Sequence, residues 1–308
     1  MPIQPLQKIW MDGELVDWDD ATIHVLTHAL HYGSGAFEGI RAYDTNRGPA
    51  VFRLDDHLRR LLRSAHIYLM EVPYSLEELV QATKETILVN GLEACYVRPL
   101  VYRGYREMGL NPLLAPVNVS IAVWAWGPYL GEDAVELGVR AKISSWKRID
   151  HNMLPPAAKA SGQYINSALA KVEALKAGYD EAVMLNMAGN VTDGPGENIF
   201  VVRDGVLLTP PIADGCLDGI TRESLITIAR DLGYEVREQS LARADLYTAD
   251  EAFFTGTAAE VVPIREVDDR RIGSDGRGPI TKELQEAFVA VTHGDVERYV
   301  GWLTFAKE

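Results

Sequence analysis

The chain has 308 residues, 47% of them hydrophobic and 24% charged, with a formal net charge of −14. That length can bury a substantial core and points to two compact domains. The acidic balance speaks against nucleic acid or an anionic membrane as a partner, because such surfaces need a local excess of lysine and arginine. Cys95 and Cys216 stand in unrelated contexts, which fits reduced thiols better than a disulfide framework. The longest apolar run, Ile121 to Trp126, is far too short to span a bilayer, and residues 1–20 have neither signal-peptide nor transit-peptide character. The sequence reads as soluble and cytoplasmic.

In chain order, Ile9–Met11 and Glu14–Val16 flank Asp12-Gly13, a pair suited to the tight turn of a β-hairpin. Phe37–Tyr43 and Ala50–Leu54 form a second β pair around a turn-rich segment. From Asp55 to Met70, Leu58, Leu61, Leu62, Ala65 and Leu69 keep helical spacing and leave Arg59, Arg60 and Arg63 on an arginine-rich flank. The next helix is bounded by a Ser75/Glu78 capping box and by Asn90-Gly91. Ala94–Arg103 and Val117–Trp126 read as strands, and period two places Tyr96, Arg98, Leu100 and Tyr102 on one face. A Gly-Pro pair and a further glycine break the pattern, giving a domain at 1–126, a crossing loop at 127–135 and a second domain at 136–308. Beyond it the patterns predict strands at 138–144, 182–187, 199–202, 206–209 and 252–255, and helices at about 161–177, 219–233 and from Thr281. The result is an α+β chain of two domains without internal repeats.

Four segments carry candidate chemistry. Lys159 stands alone among small residues in PPAAKASGQY, which leaves room for a planar ring; a lysine before a helix is otherwise a solvated one. Two Gly-Thr turns, LDGITR at 217–222 and TGTAAE at 255–260, suit an anion, the first because free N–H groups and the dipole face outward where a helix opens, although Thr221 could equally be a cap. TDGPGENIF at 192–200 carries Asp193 and Glu197 in a tight loop, where an acid can hold a pyridinium nitrogen protonated or simply be solvated.

Together with HALHYGSGAFEGIRAY, YVRPL, MGLNP and SSWKR, these segments resemble, over nearly the whole chain, the branched-chain amino-acid aminotransferases of the fold type IV (class IV) pyridoxal-phosphate enzymes. The resemblance implies a small α/β N-terminal domain, a larger β-barrel-like C-terminal domain with helices, and pyridoxal 5'-phosphate as cofactor. It makes Lys159 the Schiff-base lysine and proton shuttle, and gives Tyr164 the ring oxygen, Asp193 the ring nitrogen and Arg60 the phosphate. Leu217, Gly219, Ile220, Thr221, Gly256 and Thr257 complete the phosphate cup. Substrate would meet Tyr32, Phe37, Gly39, Tyr96, Arg98, Trp126, Tyr129, Thr257 and Ala258, with Arg98 at the glutamate end. The implied reaction is ping-pong transamination of leucine, isoleucine and valine with 2-oxoglutarate, in a homodimer or higher homo-oligomer.

Three positions depart from the family pattern: Asp193 replaces the usual Glu, Gln163 the usual Asn, and Asp218 the common Pro, with Glu197 as a substitute acid and Asp218 expected to face solvent. His24, His28 and His31 lack the companions of a metal site, so no metal is expected. The glycine runs lack the third glycine of a dinucleotide fingerprint. D-amino-acid aminotransferase, R-selective amine transaminase and aminodeoxychorismate lyase share the cofactor signature and are the enzymatic alternatives; a catalytically silent binder of a phosphate ligand is the non-enzymatic one.

Overall fold

The computed structural model describes residues 3–127, 130–131, 133–273 and 277–308. The chain divides into two compact units, Met1–Gly127 with Ala158–Gly162 and Ala290–Glu308, and Pro128–Ala157 with Gln163–Val289. A single linear crossing at 127–135 therefore misplaces the C-terminus. Residues 290–308 belong with the first unit because their strand adds to its sheet.

The first unit runs β1 (Lys8–Met11), β2 (Glu14–Asp17), α1 (His28–Tyr32), β3 (Gly35–Phe37), β4 (Ile40–Tyr43), β5 (Ala50–Phe52), α2 (Leu54–Ile67), α3 (Leu76–Val89), β6 (Cys95–Arg103) and β7 (Val117–Trp124). The second contributes α4 (Ala134–Leu137), β8 (Val139–Lys147), α5 (Tyr164–Lys176), β9 (Glu181–Leu185), β10 (Asn190–Val191), β11 (Asn198–Arg203), β12 (Val206–Thr209), α6 (Ile220–Asp231), β13 (Val236–Glu238), β14 (Leu241–Ala242), α7 (Arg243–Tyr247), β15 (Glu251–Gly256), β16 (Glu260–Val267) and β17 (Arg270–Arg271). Then α8 (Pro279–Thr292) leads to β18 (Leu303–Phe305). Among the described residues no helix is long and apolar enough to cross a membrane.

The sheet of the first unit has the order β18-β5-β4-β6-β7-β1-β2, with β3 also paired to β6. Asp12 and Gly13 both take positive φ, 47° and 100°, so the β1–β2 turn has the twist that two-residue hairpins favour. Leu58, Leu61 and Ala65 of α2 and Leu79 and Ile87 of α3 pack on Val97, Val101, Val119, Ile121 and Val123 of the sheet. Each large aliphatic buried in this way is worth about 1.5–3 kcal/mol relative to exposure. Ser75 and Glu78 form the expected capping box. The expected strand 37–43 is broken, however. β3 pairs with β6 through Phe37↔Leu100, β4 pairs with both β5 and β6, and Glu38-Gly39 interrupt the two.

The second unit is a ten-stranded curled sheet, β13-β12-β11-β15-β16-β8-β9-β10-β14 with β17 on β16. β16 was not among the expected strands and contains Pro263, a residue that normally disfavours an interior strand. Pro263 sits opposite Phe253 of β15, one residue before the pairing with β8 begins at Ile264↔Val139.

Candidate active site

In the first unit Lys159 lies on an extended segment fixed from both sides. Its N–H donates to Ser64 Oγ at 3.0 Å, its carbonyl accepts from Phe37 N–H at 3.0 Å, and Ala160 bridges Ala36. Gly33, in the left-handed region at φ 65°, closes on Gly162, where a Cβ would lie 2.6 Å from the Gly162 Cα. With the backbone held, motion is left to the side chain, whose Nζ lies 5.2 Å from the centroid of the Phe37 ring.

Arg60 does not share the solvent-facing flank of Arg59 and Arg63. It is 5% exposed, and the reason is Glu38, which is fully buried. Arg60 Nε and Nη2 donate to the two Glu38 oxygens at 2.7 and 2.8 Å, and His57 Nδ1 lies 2.8 Å from the same carboxylate. Burial pushes the Glu38 carboxyl up, but the Arg60 charge and hydrogen bonds, joined by His57, overcome it and hold the group well below the usual range. Burial pushes His57 down against the pull of Glu38, and the Arg60 and Lys159 charges push it further, so the ring is neutral at neutral pH and Nδ1–H donates to Glu38. His57, Arg60 and Ser64, at i, i+3 and i+7, form one buried polar stripe on α2. Sequence reasoning missed Glu38; its signal was an acid inside the apolar run AFEGI.

Tyr96 and Arg98 share a face of β6, as period two predicts. Tyr96 stacks on Trp126 at 4.6 Å and tilts against Trp124 at 5.1 Å. Arg98 Cζ lies 4.8 Å from the Phe37 centroid and 5.3 Å from that of Tyr96. Gly39 is required by this packing, since a Cβ there would sit 1.8 Å from the Tyr96 hydroxyl. Arg98 Nε is buried with no hydrogen-bond partner among the described residues. A cation inside aromatic walls with a donor left over can take a carboxylate beside an apolar group. Tyr32 is exposed on α1, packed against His28 at 4.5 Å, and Tyr129 lies outside the described residues. His28 contacts Ser34 Oγ and the Gly109 carbonyl, His31 the Val25 carbonyl, and His24 accepts from Leu26 N–H, so these rings brace local loops.

In the second unit Tyr164 opens α5, and the preceding Gln163 is buried, donating to the Pro155 carbonyl at 2.9 Å. Asp193 and Glu197 are not solvated loop acids; both are buried. Asp193 Oδ1 accepts from Thr192 Oγ1 at 2.9 Å, and Oδ2 lies 3.4 Å from Nη2 of Arg148, a residue the sequence reading left without a role. Arg148 also donates to Ser167 Oγ, and its Nε is buried without a partner among the described residues. Glu197 Oε2 accepts from Gly196 N–H at 3.0 Å. Burial, with the charges of Glu181 and Asp193, pushes the Glu197 carboxyl up to about 8. Glu181 in turn is paired with Lys171 at 2.7 Å.

The helix α6 begins at Ile220, with Gly219 as its N-cap and no side-chain cap. Thr221 therefore lies within the first turn rather than capping it, and both Ile220 and Thr221 are buried. Leu217 and Asp218 precede it, half-buried. Thr257 and Ala258 lie at the tip of the β15–β16 hairpin, after Gly256, where a Cβ would be 3.3 Å from the Gly196 carbonyl.

The second unit thus presents an uncapped helix N-terminus and a pair of buried acids, and the first a lysine fixed at its backbone, which are residue types used in amine and phosphate chemistry. Residues 35–267 match the family described as amino-transferase class IV, and the chain belongs to it. A Pseudomonas aeruginosa protein named branched-chain-amino-acid aminotransferase is 50% identical over 299 residues, covering 97% of each chain. Among solved structures, the T.th. branched-chain amino acid aminotransferase with pyridoxamine 5'-phosphate is similar at TM-score 0.96 and 48% identity, over 99% of this chain and 100% of that one. The branched-chain aminotransferase of Thermoproteus uzoniensis with norvaline is similar at TM-score 0.93 and 49% identity, over 98% and 99%.

The raised Glu197 has a consequence for stability. The fold keeps its proton where the unfolded chain ionises, so its contribution is full below about 4.5 and is lost as pH rises to about 8. Glu197→Gln removes that loss. The stability of the cofactor-free variant relative to the parent should climb by at least ~1 kcal/mol between about pH 5 and 8 in thermal melts. His57 tilts both proteins alike and drops out of the difference; a constant difference across the window contradicts the assignment.

Proposed function

We propose that this class IV aminotransferase transfers the amino group of L-leucine, L-isoleucine and L-valine to 2-oxoglutarate, giving branched-chain 2-oxoacids and L-glutamate, with pyridoxal 5'-phosphate as cofactor. The observation that carries the reading is Arg98, a cation set against Phe37 and Tyr96 whose buried Nε has no hydrogen-bond partner among the described residues. One pocket must accept an aliphatic side chain and then a carboxylate, and this combination offers both surfaces. The named relatives, which act as branched-chain aminotransferases by title, support the same substrate class.

The residues present fit the cofactor. The uncapped first turn of α6 suits its phosphate, and the buried Asp193 suits a protonated ring nitrogen. When bound, pyridoxal phosphate supplies the electron sink that acidifies the Cα–H of an amino acid. Lys159 would hold it covalently and, as a free amine, would move the proton at the substrate Cα. The fixed backbone at Ser64 and Phe37 lets that side chain swing while its root stays in place. In the first unit Arg60, oriented by Glu38, would take the phosphate, and in the second Leu217, Gly219, Ile220, Thr221, Gly256 and Thr257 would take it. Tyr164 takes the ring oxygen and Asp193 the ring nitrogen, while Gly39, Trp126, Tyr129, Tyr32 and Ala258 complete the substrate side.

Steady-state assays test the substrate assignment. The parent should turn over L-leucine with 2-oxoglutarate and leave D-alanine at least about tenfold behind in kcat/KM. Arg98→Met should raise KM for 2-oxoglutarate about tenfold or more and change that for L-leucine less than about threefold. D-Alanine turnover equal to that of L-leucine, or equal losses on both substrates in the variant, would contradict the reading.

A homo-oligomer completes the proposal. The first unit leaves a groove of about 380 Å³ lined by Ile9, Met11, Leu30, Leu100, Tyr102 and Ala122. Val25, Leu110 and Leu114 are also exposed, Leu110 at 89%. Apolar surface of this kind marks an association site, and a second copy is the occupant the resemblance implies. Light scattering should give the mass of two or more chains, and the Leu30→Asp/Leu110→Asp pair should shift it toward one; a monomeric parent would contradict this. The two cysteines are buried and unpaired, with burial raising both thiols to about 12, which supports a cytoplasmic location.

A further inference from the structure

We infer that Asn198 is a positioning residue that holds the two turns proposed to take the cofactor phosphate; the inference rests on the cofactor reading above. Asn198 is the first residue of β11 and is 6% exposed. Its Nδ2 donates to the Leu217 carbonyl at 2.9 Å. Its Oδ1 lies against the α6 N-cap so closely that a Cβ on Gly219 would fall 1.9 Å from it. The amide is thus laid along the turn 217–219, with one end hydrogen-bonded and the other in contact.

The backbone of the same residue reaches the second turn. Asn198 is opposite Thr255 in the β11–β15 register, one residue before Gly256, and also bridges Asp193. Beside it Gly256 closes on Gly196 and Glu197, with 3.6 Å from a Cβ there to the Glu197 Cα. Acid loop, helix turn and hairpin tip therefore meet on one asparagine. A helix N-terminus offers its N–H groups to an anion only if the preceding residue leaves the helix in a defined direction, and Gly219 does so with ψ 126°. Gly219 has no side chain to cap that end, so the direction is held from outside, and the Asn198 amide touches it. Aspartate has the same shape but, ionised, cannot donate to the Leu217 carbonyl, and it would set a negative charge beside the anion turn.

Binding of pyridoxal 5'-phosphate and of pyridoxal to cofactor-free protein, measured side by side, tests the inference. The parent should favour the phosphorylated form. Asn198→Asp should lose roughly tenfold or more for pyridoxal phosphate and less than about threefold for pyridoxal. Gly219→Ala, which displaces the amide from the opposite side, should reproduce that selective loss with Asn198 intact. Equal losses for both compounds in the two variants, or no loss at all, would overturn the positioning role while leaving the cofactor reading standing. A parent that binds neither compound would overturn both.

Discussion

A buried arginine cannot stand without its counter-charge, and the ion pair between Arg60 and the fully buried Glu38 organises the N-terminal half of the chemistry. Both guanidinium-carboxylate contacts are short, and His57 closes the remaining side of the carboxylate. Glu38 meets α2 where the strand is interrupted between β3 and β4. That break puts Phe37 where it holds the Lys159 carbonyl, and Gly39 where it admits Tyr96. One turn along the same helix from Arg60, Ser64 holds the Lys159 N–H. Lys159, Arg60 and the aromatic wall are therefore set by one polar stripe and its glutamate, and removing either member of the ion pair would leave a buried charge at a cost of about 3–5 kcal/mol.

The second unit solves a different problem, that of keeping acids dry. Asp193 has Thr192 and Arg148 beside it, whereas Glu197 has mainly other acids and keeps a proton instead. The shorter acid at 193 thus does not act alone: a neutral carboxyl four residues on shares its loop. Lys171, through Glu181, limits how much negative charge accumulates there.

Local chemistry was the most legible part of the sequence. Asp12-Gly13, the Ser75/Glu78 box and the alternation of Tyr96 with Arg98 are decided within a few residues, and the structure follows them. What depended on distant partners was not readable. Nothing near Arg60 distinguishes it from Arg59 and Arg63 until Glu38 is placed opposite it. β16 pairs on both sides in spite of Pro263, in a register that tolerates it. Residues 290–308 rejoin the first unit by pairing with a strand some 250 positions earlier, Leu303 with Phe52. The acids of 193–197 read as a polar loop because burial is a property of the packed sheet rather than of the segment.

The most direct test of the account is the absorption spectrum of the protein reconstituted with pyridoxal 5'-phosphate, recorded before and after L-leucine is added with no acceptor present. The account predicts a visible band from cofactor bound to Lys159 that gives way to the pyridoxamine form as the amino group is taken up. A protein that stays colourless after reconstitution, or a band that L-leucine leaves unchanged, would contradict it.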